Sequence, residues 1–227
     1  MMTNGRSDNV NTRNLVVDIL LAVTRDGAFS HIAIRDVLDK YRYLPKQDRA
    51  FITRLSQGTI ERMIELDAII NQFSKTKVKK MKPVIAAILR SGVYQLKYMD
   101  SVPDSAACNE AVKLTVKRGF GGLKGFVNGV MRTIARNMDQ IRYPDAEKEP
   151  VRYLSVKYSI PEWLVQRFTE QYGAEACERS LAAYLIPHPT SVQVDTDRSS
   201  VEAIIASLEQ QGITVRRNEQ VERALFL

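Results

Sequence analysis

The sequence has 227 residues, of which 44% are hydrophobic and 26% charged, so the chain is long enough to bury a core in two domains of moderate size. This composition excludes disordered and collagen-like proteins, and no apolar run reaches the roughly 18 residues of a membrane-spanning helix or forms a secretory signal, so we expect a cytoplasmic protein. The net charge is +7. The two cysteines, Cys108 and Cys177, form no CxxC pattern, which excludes a disulfide scaffold and a zinc site, so we expect no metal.

Apolar residues recur with helical spacing from Thr12 to Met138. The most regular stripe runs from Met81 to Leu96 and predicts a central helix that is buried on more than one side. Gly92 interrupts this stripe, and we expect the missing side chain to let another helix approach closely.

A helical hairpin is predicted in the following residues. Asp104 or Ser105 is a plausible N-cap, and a helix is expected from Ala106 to about Lys117. The glycine-rich segment 119–125 predicts a turn, followed by a last helix over 126–138. The turn lacks both Gly-Lys-Ser/Thr and GxGxxG, so we interpret it as a flexible connection and not as a nucleotide-binding loop.

A domain boundary is predicted in the polar segment 142–150, which contains two prolines and little to bury. The charge changes sign there: residues 1–143 carry 24 Lys and Arg against 13 Asp and Glu, whereas residues 144–227 carry 9 against 13. We therefore assign residues 1–143 to a cationic helical domain and residues 144–227 to a small α+β domain. A cationic domain is typical of a protein that meets a polyanion, and nucleic acid is the natural candidate, although excess lysine also serves solubility.

Two helices and a β-α-β pattern are predicted in the second domain. The helices cover about 161–172 and 174–185, ended by Gly173 and by Pro187 with Pro189. Alternation predicts a strand over 191–195, a helix follows from Ser199 or Ser200 to Gln211, and Ile213–Val215 is expected to be the second strand. The apolar run 224–227 is strand-like, and we expect either a longer natural chain or a partner to cover that edge.

No catalytic centre is evident. His31 and His188 are the two histidines, and neither has a candidate nucleophile nearby. Cys108 is expected to be a small buried residue, and nothing near Cys177 favours a reactive thiolate.

Basic side chains recur on single helical faces. Lys113, Lys117 and Arg118 form one set and Arg132 with Arg136 another, while Lys124 lies in the turn between them. If the two helices form a hairpin, these groups merge into one basic surface. The lysine-rich segment 74–82 is either a further phosphate contact or a solvated loop.

Five motifs carry a resemblance to a known family. They are Asp48-Arg49-Ala50, Gly58-Thr59-Ile60-Glu61-Arg62, the segment 88–96, Val102-Pro103-Asp104 with Asn109-Glu110-Ala111-Val112, and the segment 126–132. Their order resembles the NusB-like RNA-binding fold. The segment 153–165 is similar to the one that joins a NusB-like domain to the methyltransferase in the Sun/Fmu (RsmB) family of 16S rRNA cytosine-C5 methyltransferases.

The resemblance implies a mainly α fold, with a NusB-like all-helical bundle followed by a small α+β linker domain that leads into a Rossmann-like catalytic domain. That family's loop for S-adenosylmethionine and its two catalytic cysteines would lie beyond Leu227, so we expect no cofactor in this chain and no methylation by it alone. Ile160 stands where the family usually has histidine, and Gln193-Val194-Asp195 replaces its usual Arg-Val-Asn.

The leading hypothesis is therefore that the chain is the portion of such an enzyme that recognises 16S rRNA. The alternatives are a free-standing NusB-like antitermination or protein-interaction module, with a ribosomal or other protein as partner, and a catalytic protein whose site is not evident. The residues expected to contact RNA are Arg13, Arg49, Arg54, Arg90, Lys113, Lys117, Arg118, Lys124, Arg132 and Arg136.

Overall fold

The computed structural model describes residues 10–186 and 189–227. Two of the predictions lie outside the described residues. They are the helix end at Pro187 and the absence of a candidate nucleophile near His188. Within them, no helix is both long and apolar enough to cross a membrane. The described chain forms eleven α-helices: α1 Thr12–Thr24, α2 Ser30–Lys40, α3 Lys46–Glu61, α4 Met63–Phe73, α5 Pro83–Tyr98, α6 Asp104–Lys117, α7 Lys124–Arg136, α8 Pro150–Tyr158, α9 Glu162–Tyr172, α10 Ala174–Ala183 and α11 Val201–Gln210.

The chain divides into two compact units, one up to Glu178 and one from Arg179 onward. The mainly helical fold class is confirmed. The division falls inside α10, whereas the predicted domain boundary lies between residues 143 and 144. The units are defined by contacts in the structure, whereas the predicted boundary was placed from composition and charge. The boundary between residues 143 and 144 therefore stays a prediction.

Helix α5 is the centre of the first unit. Ile85, Ile88, Leu89 and Val93 are all almost fully buried, and α5 packs against α1, α3, α4, α6 and α7. The close approach predicted at Gly92 is present: a Cβ atom built there would lie 2.6 Å from Met131 Cε, on α7. The glycine therefore makes room for a core side chain of a neighbouring helix.

Helices α6 and α7 form the predicted hairpin. The N-cap of α6 is Pro103 and not Asp104 or Ser105: Asp104 is the first helical residue, and no side chain caps the helix. The glycine-rich turn contains a short 3-10 helix, Gly121–Leu123, and α7 begins at Lys124, two residues earlier than predicted.

Helix α8, Pro150–Tyr158, was not predicted from the sequence. Pro150 occupies its first turn, where a missing N–H costs no hydrogen bond. Ser159 ends it with a left-handed backbone, φ 58°, and its Oγ accepts a hydrogen bond of 3.0 Å from the backbone N–H of Ile64. This bond and the packing of α8 on α4 join the segment after α7 to the bundle.

The second unit contains a three-stranded antiparallel sheet, with strands β1 Ser191–Gln193, β2 Arg216–Arg217 and β3 Ala224–Phe226 in the order β1-β3-β2. Ser200 caps α11 as predicted, its side chain accepting from the N–H of Ala203. The second strand lies after Ile213–Val215 and not on it. The apolar run at 224–226 is the middle strand with Leu225 fully buried, so it is not the open edge that the sequence suggested.

Candidate nucleic-acid interface

A basic groove runs along the α6–α7 hairpin. It consists of two adjoining depressions of about 470 and 310 Å³ that share Asn109 and Arg132. The first is also lined by Lys113, Lys124 and Asn128, and the second by Arg136 and Asp104. The groove forms because Val127, Val130, Met131 and Ile134 bury the inner face of α7 and leave its cations on the outer face.

The cations of this groove are accessible. Lys113 is 72% exposed, with its Nζ 2.8 Å from Glu110 Oε1, and ion pairs of this kind on a helix surface are weak. Arg132 Nε donates to Asn128 Oδ1 at 3.0 Å, which orients the guanidinium and leaves its other donors unused. Lys124 and Arg136 are exposed and make no ion pair within the described residues.

A third depression, of about 280 Å³, adjoins the turn between the helices. Lys80 and Lys82 line its rim, while Met81, Leu123 and Phe126 supply apolar surface. Two contacts hold the lysine-rich segment 74–82 against the bundle. Asn71 Oδ1 accepts a hydrogen bond of 2.8 Å from the N–H of Val78, and the side chain of Val78 is buried. The segment 74–82 is thus an ordered loop with its lysines outside.

Three of the predicted residues are engaged inside the fold. Arg90 makes a two-fold ion pair with Asp67, with distances of 2.6 and 2.7 Å. Arg118 lies 2.7 Å from Asp18 Oδ1 and also donates to the backbone oxygen of Asn14.

Arg13 donates to Gln95 Oε1 at 2.7 Å and lies 4.8 Å above the ring of Phe51. Burial lowers the pKa of Arg13, and the charge of Glu110 opposes that shift. Arg13, Arg90 and Arg118 therefore stabilise helix contacts, and Arg118 does not join the hairpin groove.

The remaining predicted residues lie elsewhere on exposed surface. Lys117 is exposed on α6 one turn beyond Lys113 but does not line the groove. Arg49 is exposed on α3, and Arg54, on the same helix, donates to the backbone oxygen of Tyr98 at 2.9 Å.

Sequence reasoning missed Asn109, which lines both halves of the groove. Its position could have been found, because it precedes Lys113 by four residues and so shares its helical face. The contribution of Lys80 and Lys82 had no such signal, since they lie more than 40 positions before Leu123 and Phe126, the hairpin residues that line the same depression.

The glycine-rich turn and the two cysteines lack the features of a cofactor loop or a reactive thiolate. Cβ atoms built at Gly121, Gly122 and Gly125 would meet no heavy atom within 4 Å, so these glycines serve no close backbone approach. Cys108 and Cys177 are both buried, and burial raises the pKa of the Cys108 thiol. Across residues 10–186 and 189–227, no group of three or more His, Cys, Asp or Glu side chains could hold a metal ion.

Two solved structures have a fold similar to that of this chain. The crystal structure of PH0851 superposes with a TM-score of 0.65 at 20% identity, over 97% of this chain and 49% of that one. A structure of the antitermination factors NusB and NusE in complex with double-stranded RNA superposes with a TM-score of 0.51 at 21% identity, over 55% and 93% of the two chains.

Sequence comparison gives relatives of two kinds. The chain is 33% identical over 215 residues to the probable ribosomal RNA small subunit methyltransferase B of Bacillus subtilis, covering 95% of this chain and 47% of that protein. A Synechocystis protein of the same name is also 33% identical, so the chain spans about half the length of these relatives. The transcription antitermination protein NusB of Agathobacter rectalis is 39% identical over 90 residues, 39% of this chain and 69% of that protein.

Two family descriptions match successive parts of the chain. Residues 160–227 match the ferredoxin-like domain of RsmF/B-like methyltransferases. Residues 10–136, more than half of the chain, match the NusB family, and the chain therefore belongs to that family.

Proposed function

We propose that this chain binds structured ribosomal RNA through the α6–α7 groove and positions it for methylation by an rRNA cytosine-C5 methyltransferase. The observation that carries the proposal is the groove itself: Lys113, Lys124, Arg132 and Arg136, from helices α6 and α7, line adjoining depressions on one surface. Cations gathered on one surface can contact neighbouring phosphates of the same RNA, whereas charges scattered over a molecule cannot.

The chemistry of the groove supports positioning and not catalysis. Its cations donate to phosphate oxygens without any requirement for base identity, while the carboxamide of Asn109 and the carboxylate of Asp104 add groups that can meet base or ribose edges. S-adenosylmethionine would be bound by the catalytic part of such an enzyme.

The identity of the RNA is part of the proposal. The relatives in Bacillus subtilis and Synechocystis are named as small-subunit methyltransferases, which supports 16S rRNA as the substrate. The similarity to a structure of NusB and NusE in complex with double-stranded RNA supports RNA binding, and it makes a ribosomal or transcription protein the alternative partner.

The test is RNA binding by the whole chain, measured by fluorescence anisotropy with a labelled 16S rRNA fragment at several salt concentrations. We expect log K to fall linearly with log salt, because phosphate contacts release counterions. The variant Lys113→Glu, Lys124→Glu, Arg132→Glu should weaken binding by tenfold or more at low salt and reduce the salt slope.

A matched control is the exposed Arg35→Glu on α2, which reverses charge away from the groove. Equal losses in the control and the groove variant would show a non-specific charge effect and refute the groove. A wild-type affinity independent of salt, with a protein partner retained after RNase treatment, would favour the protein-interaction alternative.

A further inference from the structure

The turn between α2 and α3 carries a second group of cations, together with an exposed aromatic ring. Residues 40–49 contain Lys40, Arg42, Lys46 and Arg49 against a single acid, Asp48. This surface shares no residue with the α6–α7 groove.

The geometry of the turn holds one tyrosine outward. Leu44 is buried in the core at 5% exposure, and its N–H donates to the backbone oxygen of Tyr41 at 3.1 Å. Because the chain is anchored at Leu44, the preceding Tyr43 is directed to solvent and is 54% exposed. Its ring lies 6.0 Å from that of Tyr41, at 52°.

Cations flank Tyr43 on both sides along the chain. Lys40 Nζ lies 5.6 Å over the ring of Tyr41. Lys46 and Arg49, one turn apart at the start of α3, are exposed and make no ion pair within the described part of the chain. Arg42 is 75% exposed with its Nη2 3.1 Å from Asp39, an arrangement that a phosphate can compete for.

We propose that this turn is a second RNA contact that takes an unpaired nucleotide, with its base stacked on Tyr43 and its flanking phosphates on Lys46 and Arg49. An exposed aromatic face beside cations fits a single strand, because only a base outside a duplex offers its face for stacking. A protein partner fits less well, since the net positive charge of the turn would have to be met by acidic groups, and Tyr43 is the large hydrophobic side chain of this turn that is more than half exposed. The inference rests on the proposed function and adds the class of RNA: a structured RNA with an unpaired segment.

The experiment compares an unpaired RNA of about 12 nucleotides with a duplex of the same length, both labelled, by anisotropy on the full chain. Tyr43→Ala should reduce the ratio of unpaired to duplex affinity by about tenfold, whereas Tyr43→Phe, which keeps the ring, should retain the wild-type ratio. Arg49→Gln should weaken both RNAs and make the salt slope about 0.7 to 0.9 less steep. Circular dichroism checks that each variant is folded.

The outcomes separate this inference from the function on which it rests. If the groove variant loses RNA binding but Tyr43→Ala keeps the wild-type ratio, the second contact is refuted and the proposed function stands. An equal fall in the ratio of unpaired to duplex affinity for Tyr43→Ala and Tyr43→Phe would also overturn stacking, because the phenylalanine keeps the ring. If wild-type protein binds neither RNA, the proposed function itself fails.

Discussion

Gly58 and Gly129 both lie inside helices, but only one of them has a neighbour where a side chain would be. A Cβ atom built on Gly58, in α3, would lie 2.1 Å from the hydroxyl oxygen of Tyr94, whereas a Cβ on Gly129, in α7, would meet nothing within 4 Å. Packing against Tyr94 therefore requires a glycine at position 58, whereas the fold leaves room for a side chain at position 129.

The same substitution should have opposite effects at the two sites. Gly58→Ala must displace the Tyr94 ring, and overpacking of this kind outweighs the gain in helix propensity, so the free energy of unfolding should fall by about 1 to 2 kcal/mol. Gly129→Ala should raise it by about 0.5 to 1 kcal/mol. Urea denaturation measures both, and a stabilised Gly58→Ala variant would show that Tyr94 moves aside without cost.

At the scale of single residues, the sequence could identify where basic side chains lie on a helix but not what they face across the fold. The spacing of Arg132 and Arg136 placed these two on one face of a helix, and the structure brings them to one groove with Lys113 of the other helix. Arg90 and Arg118 have acidic partners 23 and 100 positions away in sequence. Only tertiary packing brings those partners close, so no local pattern could separate these arginines from the exposed ones.

At the scale of elements, the long amphipathic helices and the strands at 191–193 and 224–226 were predictable, whereas the second strand was not. The stripe over 81–96 corresponds to α5, because four turns of regular spacing leave little ambiguity. The second strand has only two residues, Arg216 and Arg217, and both are exposed and polar. Val215, where the sequence placed the strand, instead packs against the apolar cluster of the second unit.

A buried carboxylate joins α4, α5 and the segment after α7. Glu65 is 2% exposed and accepts hydrogen bonds from the hydroxyls of Tyr98, at 2.5 Å, and of Tyr143. Lys97 Nζ lies 3.4 Å from Glu65 Oε1, and Arg62 Nη1 lies 3.7 Å from Oε2. The cluster compensates a buried negative charge with two cations and two hydroxyl donors.

Removing one donor should destabilise the bundle measurably. Tyr143→Phe deletes a hydrogen bond to a charged acceptor and should lower the free energy of unfolding by about 2 kcal/mol. Tyr172→Phe is the matched control, because that tyrosine is 58% exposed on α9. Chemical denaturation should show little change for Tyr172→Phe, and an equally small change for Tyr143→Phe would contradict a stabilising role for the cluster.

The same cluster predicts a loss of stability at alkaline pH. Burial first, and then the hydrogen bond to Glu65, raise the pKa of Tyr98 above its ordinary value of 10, and the pKa of Tyr143 is raised for the same reasons. Folding thus favours the neutral phenols, so their contribution is complete below about pH 10 and is lost as the pH rises above it.

Denaturation between pH 8 and 11 tests this dependence. The double variant Tyr98→Phe, Tyr143→Phe should be less stable than wild type at pH 8 and should lose less stability on going to pH 11. Parallel curves for the two proteins would assign the alkaline dependence to other groups.

At the scale of the whole molecule, the charge is divided unevenly along the chain, with the excess of Lys and Arg in residues 1–143 and the excess of Asp and Glu after them. RNA binding should follow that division. Arg198, which is 87% exposed, and Arg223, also exposed, are accessible cations of the second unit, so Arg198→Glu with Arg223→Glu reverses two charges there.

Because the polyanion is expected to meet residues 1–143, these two reversals should change affinity for the rRNA fragment by no more than about threefold at 0.15 M salt. Charges more than about 8 Å from a phosphate are largely screened at that salt concentration. The same number of reversals in the groove, Lys124→Glu with Arg132→Glu, should cost tenfold or more and reduce the salt slope by one to two. Anisotropy titrations of the two double variants at matched salt decide the point, since equal losses would mean that RNA extends over the sheet of the second unit.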